Sequence, residues 1–148
     1  EVGQVHKFPV LRDGVNEKFL EKVRKNVDTC LSALFDEEDL VRMDGMTSFS
    51  FGSATIHVTV VPWHSKDVLV KVFSYLADSV KTKKAAVEFL RLNSDAPLGA
   101  FSLAFDNTVI FSCSLPGANL DKSELIGALQ TVAAYADQYD DIIREMYR

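Results

Sequence analysis

The chain has 148 residues, 47% hydrophobic and 25% charged, with 7 Gly, 4 Pro and a net charge of -5. A chain of that length buries about 70% of the surface it exposes when unfolded, so a sizeable core is available and a disordered class is excluded. The acidic balance repels a phosphate backbone, the close basic group Lys81, Lys83 and Lys84 comes without a nucleic-acid motif, and no apolar run nears the roughly 20 residues that span a bilayer, so neither nucleic acid nor membrane is expected as a partner.

Residues 1–15 mix Val2, Val5, Phe8 and Pro9 with charges and show no period, which predicts a tail or extended lead-in. The chain opens on Glu1 rather than Met, as a processed or trimmed form does. From Asn16, a good N-cap, the positions Phe19, Leu20, Val23, Val27, Cys30, Leu31, Leu34 and Phe35 trace one helical face, ending before the acidic run at 36–39. Residues 47–51 alternate Phe with Ser and Thr, and Gly52-Ser53 turns the chain into a strand at 55–63 with Ile56, Val58 and Val60 on one face. Pro62 ends that strand or sets its end on an edge, and the next runs over 67–76.

That third strand is apolar on both sides, with Val68, Val70 and Val72 on one and Leu69, Phe73 and Tyr75 on the other. An antiparallel sheet covered by helices on one side should show a polar second face, so something else is expected to cover this one. A helix follows at 82–93, stopped by Asp95-Ala96-Pro97, and then a hairpin in which Phe101, Leu103 and Phe105 precede the turn Asp106-Asn107 and Val109, Phe111, Cys113 and Leu115 follow it. Asp121 and Glu124 form a capping box with Leu120 and Leu125 as its staple. The last helix then carries a seam of Leu125, Leu129, Val132, Ala136, Tyr139, Ile143 and Met146, with Asp137, Asp140 and Asp141 expected on a solvated face. With no repeat or linker, residues 16–148 read as one α+β domain of order α-β-β-β-α-β-β-α, a five-stranded, mainly antiparallel sheet with helices on one face.

No catalytic or metal-binding pattern emerges. His6, His57 and His64 lack zinc-motif spacing, and neither Cys30 nor Cys113 has a partner two to four residues away, so no metal and no cofactor are expected. The two cysteines read as reduced thiols in packing positions, which favours a reducing compartment. Ser53 joins two strands and so is no nucleophile elbow, and Asp140 and Asp141, about 100° apart around a helix, do not converge as a dyad.

Several strings resemble one family. Phe89-Leu90-Arg91-Leu92-Asn93, then Leu98-Gly99-Ala100-Phe101-Ser102-Leu103, Asp106-Asn107-Thr108-Val109-Ile110-Phe111, Leu115-Pro116-Gly117-Ala118-Asn119-Leu120-Asp121, Glu124-Leu125, Ala136-Asp137 and Asp140-Asp141 resemble the C-terminal half of YbjN-like proteins, in particular their cyanobacterial and plastid branch. That family is similar in fold to the type III secretion chaperones, whose element order is the one read above. The resemblance implies a non-enzymatic protein-binding domain, in the cytoplasm or, for a plant chain, the plastid stroma. Secretion chaperones are acidic homodimers that hold an extended client along apolar patches, and YbjN-like proteins have been described as regulators.

Two roles therefore stand side by side: a chaperone-like module that binds an extended client peptide through Val61, Trp63, Leu69, Phe73 and Tyr75, or a regulatory or scaffold subunit in which the same surface makes a homodimer. A third account has the lead-in cover the face through Val2, Val5 and Phe8, and a dispersed enzyme site would need His57, His64 and acidic groups to converge.

Overall fold

The computed structural model describes residues 14–80 and 83–147; the lead-in with Val2, Val5 and Phe8, and Lys81 at the start of the basic group, lie outside them. Helix α1 (Glu17–Leu34) starts where Asn16 Oδ1 accepts the Phe19 N–H at 3.2 Å, and it buries Leu20, Val23, Val27 and Leu31. A 3-10 turn, Glu37–Asp39, leads into β1 (Val41–Met43), β2 (Met46–Phe51), β3 (Ala54–His64) and β4 (Asp67–Ala77). Helix α2 (Lys83–Asp95), β5 (Ala100–Leu103), β6 (Val109–Pro116) and α3 (Lys122–Tyr147) complete the order.

The sheet of the described residues has six strands, all neighbours antiparallel, in the order β1-β2-β3-β4-β6-β5. The sequence predicts five, and the added one is β1. Asp44 and Gly45 between β1 and β2 have φ of 53° and 76°, the left-handed pair that a tight hairpin turn requires. Register across the central strands sets rows on the two faces. Val58, Val72 and Cys113 are aligned on one face, and His57, Phe73 and Ser112 are aligned on the other.

On the first face Ile56, Val70, Val72, Val109 and Phe111 are wholly buried, together with Leu125, Ala128, Val132 and Ala136 of α3 and Leu31 of α1. Fully burying side chains of this size stabilises the fold by about 1.5 to 3 kcal/mol each, so this layer holds the domain together. An aromatic cluster closes its β5–β6 corner: Tyr135 stacks on Phe111 at 4.7 Å, Phe111 meets Phe101 at 4.9 Å, and Phe89 of α2 stacks on Phe101 at 5.7 Å. All three described helices therefore pack on the Phe111 side.

The capping box closes reciprocally. Asp121 Oδ1 accepts the Glu124 N–H at 2.8 Å and Glu124 Oε1 accepts the Asp121 N–H at 3.2 Å. The seam of α3 packs inward through Ile143, with Tyr139 half-buried, but Met146 is 63% exposed, and it is Tyr147 that turns back to meet Phe89. Asp140 also departs from the expected solvated face: it is 1% exposed, and its Oδ2 accepts the Ser53 hydroxyl at 2.7 Å. Beside it Asp137 Oδ1 accepts the Ser53 N–H at 3.0 Å, so two carboxylates of α3 hold the β2–β3 turn. Gly52, at φ 56°, makes that approach possible, since a Cβ there would overlap the Asp137 carboxylate. Cys30 and Cys113 are both free thiols.

Candidate functional site

The second face of the sheet carries side chains in crossing rows. Val41, Ser48, His57, Phe73, Ser112 and Ala100 form one row, Met43, Met46, Thr59, Lys71 and Ser114 the next, and Val61, Leu69 and Pro116 the third. Tyr75, Ile110 and Ser102 continue on the other side of the first. None of these residues belongs to the core under the helices, not even Phe73, which is only 6% exposed.

Four of the five residues singled out from the sequence meet on this face. Val61 and Leu69 are register partners and both half-buried, while Phe73 and Tyr75 touch edge to face with ring centroids 5.4 Å apart. Tyr75 is 53% exposed. Trp63 is set apart: it is the extra residue of a bulge between Pro62 and His64, and its ring packs on that of His64 at 4.6 Å.

Sequence reasoning left out the centre of the patch. His57 lies between Phe73 and Tyr75, with ring centroids at 5.2 and 5.4 Å, and its Nδ1 is 2.7 Å from the Ser48 hydroxyl. Burial holds its imidazole below the ordinary range by disfavouring the charged form. Met43, 65% exposed, and Val41, 57% exposed, extend the apolar surface to the β1 edge. The signal for them was Asp44-Gly45, a hairpin dipeptide that makes the preceding three residues a strand.

His57 and His64 do not converge. His64 Nδ1 accepts the Lys66 N–H at 3.0 Å in the β3–β4 turn, far along the strand from the Ser48 pair. Among the described residues no three His, Cys, Asp or Glu side chains gather as metal ligands would, and no helix is long and apolar enough to cross a membrane. One cleft of about 500 Å³, bounded by α1 and the β1–β2 turn with Arg24, Asp28 and Arg42, reaches Met43, Met46 and Thr59 at the margin of the second face, and another of about 220 Å³ is lined by Phe35, Phe49, Phe51, Leu129 and Ala133.

The two edges of the sheet differ. At β5 the Asn93 carboxamide lies alongside Phe101, accepting its N–H at 2.7 Å and donating to its C=O at 3.1 Å, so the backbone of the strand's second residue is already occupied. At the opposite margin β1 has three residues and, among the described residues, no strand lies beyond it; β2 pairs with β3 only as far as Thr59, so no described strand flanks the end of β3 on that side.

Residues 21–148 match the family described as T3SS (YopN, CesT) and YbjN peptide-binding chaperones. The chain belongs to this family. Its element order, with three helices on one side of an antiparallel sheet and an apolar second face, is thus the frame of a peptide-binding chaperone family, and the sequence strings after Phe89 that resemble YbjN-like proteins fall within the matched span. In this family member Asn93, within one of those strings, is the residue that closes the β5 edge. Comparison with curated proteins finds no match.

Proposed function

We propose that this chain is a non-enzymatic chaperone that holds an extended segment of a client polypeptide against the helix-free face of its sheet. The observation that carries the reading is β4: Val68, Val70 and Val72 are consumed by the chain's own helices, whereas Leu69, Phe73 and Tyr75 lie on a face that no described helix covers. A half-apolar, pleated surface suits an extended chain, whose alternate side chains repeat at the same spacing as those of a strand. Family membership supports the same class of role. The two free thiols fit a reducing compartment, the cytoplasm or, in a plant, the plastid stroma.

A permanently unfolded, reduced and alkylated model protein is the test client. Trp63, the chain's one tryptophan and 44% exposed, reports its arrival by fluorescence. Saturable binding that weakens in Leu69→Ser and Tyr75→Ser, with an unchanged circular dichroism spectrum, supports the proposal; no binding by the folded wild type removes it. The competing occupant is a second copy of the chain, and light scattering on the free protein separates the two, a dimer lost in Leu69→Asp/Phe73→Asp pointing to the homodimer.

A further inference from the structure

The helix-free face is apolar and hydroxyl-rich with one formal charge near its middle. Reading the register across the strands, Lys71 is the only Lys, Arg, Asp or Glu of the described residues on these rows; burial disfavours the charged form of His57, Asp44 lies in the β1–β2 turn, and Asp67 is the first residue of β4, at the end of the face. Asp67 is moreover engaged, its Oδ1 accepting the Val68 and Ala118 N–H groups at 2.7 and 2.9 Å. Lys71 has Thr59 and Ser114 beside it across the sheet, and Leu69 and Phe73 before and after it along β4. Its Nζ sits 5.4 Å from the centroid of the Phe73 ring, and it makes no ion pair among the described residues.

This is a cation with no ion pair among the described residues, on a face that no described helix covers, in a chain whose net charge is -5. A wholly apolar occupant would strip water from the ammonium and leave it stranded, which costs more than the added apolar contact returns. A carboxylate set over the same point removes that penalty and adds a charge-assisted hydrogen bond. Position follows from geometry. Residues 69, 71, 73 and 75 repeat about every 7 Å, the spacing of alternate residues in an extended client.

We infer that the client segment is acidic at one defined place: an extended stretch presenting apolar, Asp or Glu, apolar and apolar side chains at successive alternate positions, matched to Leu69, Lys71, Phe73 and Tyr75. The inference rests on the chaperone reading above and narrows it to a partner chemistry. Lys71 selects among clients, while Tyr75, largely exposed, and the half-buried Leu69 supply contact area.

Three fluorescein-labelled 15-residue peptides test it, identical in their alternating apolar positions and differing only in Glu, Gln or Lys at the second of them. Fluorescence anisotropy on the full chain should rank Glu over Gln by about tenfold, the worth of one hydrogen bond to a charged group, with Lys weakest. Lys71→Met should erase the ranking and Lys71→Arg should keep it. Equal binding of Glu and Gln peptides by the wild type, or a ranking that survives Lys71→Met, overturns the acidic selection and leaves the chaperone reading standing. Silence towards all three peptides and towards the unfolded model protein overturns both. In that event a dimer by light scattering assigns the face to a second copy, and a monomer assigns it to the chain's own residues.

Discussion

Asn93 and Phe101 form a closed pair in which one side-chain amide satisfies both backbone groups of an edge-strand residue, at 2.7 and 3.1 Å. The carboxamide does here what a neighbouring strand would do. Asn93→Ala leaves a part-buried N–H and C=O without partners and should lower unfolding stability by about 1 to 3 kcal/mol, measured by urea denaturation. Asn93→Asp keeps the acceptor and loses the donor, so it should fall between the wild type and the alanine variant.

The β2–β3 turn should be as sensitive from either side. Gly52→Ala forces a left-handed backbone on a residue with a Cβ and drives it into Asp137, for an expected loss of about 2 kcal/mol or more. Asp140→Ala removes the nearer of the two acceptors of the Ser53 hydroxyl, at a buried position, and should cost about 1 to 3 kcal/mol. Both are read as shifts in thermal midpoint, and combining them should give less than the sum, because they act on neighbouring contacts of the same turn.

His57 ties stability to pH. Its folded-state imidazole titrates below the unfolded value of about 6.5 because burial disfavours the charged form. Above that value neither state binds the proton and the group is silent. As pH falls through it the unfolded chain takes up the proton first, so stability declines until the folded group titrates too, and the loss is constant below. The urea midpoint should therefore drop between pH 7.5 and pH 5.5, and His57→Phe should flatten that slope. An unchanged slope in the variant would remove His57 as its cause.

The cysteines should separate by reactivity. Cys113 is buried in β6 and burial pushes its thiol up, whereas Cys30 is half-buried on α1. Iodoacetamide at pH 8 should alkylate Cys30 well before Cys113 in the native protein, and at equal rates in 6 M guanidinium; mass spectrometry of the peptides reads the difference. Early labelling of Cys113 would contradict its place under the helices.

What could be read from the sequence was what short-range chemistry determines. The Asp121–Glu124 box and the Leu125 to Ile143 seam are set by residues three and four apart, and the two apolar faces of β4 by alternation along one strand. Asp140 was misread because its partner, Ser53, lies 87 positions away and no local pattern announces it. The strand β1 was missed since its three residues are all exposed and show no burial alternation, leaving only the Asp44-Gly45 dipeptide to reveal it. Likewise the place of His57 between Phe73 and Tyr75, and of Lys71 in a row with Met46 and Ser114, depends on a register between strands that no single strand encodes.

The unequal margins of the sheet bear on how copies of this molecule can stick together. Fibre growth by strand addition needs a donor border and an acceptor border on every unit, so that each newcomer recreates the surface it consumed. With Phe101 already satisfied internally, the described residues leave the β1 side as the more open border. Two molecules meeting there would exhaust it, and the assembly would stop as a closed pair instead of propagating into a filament.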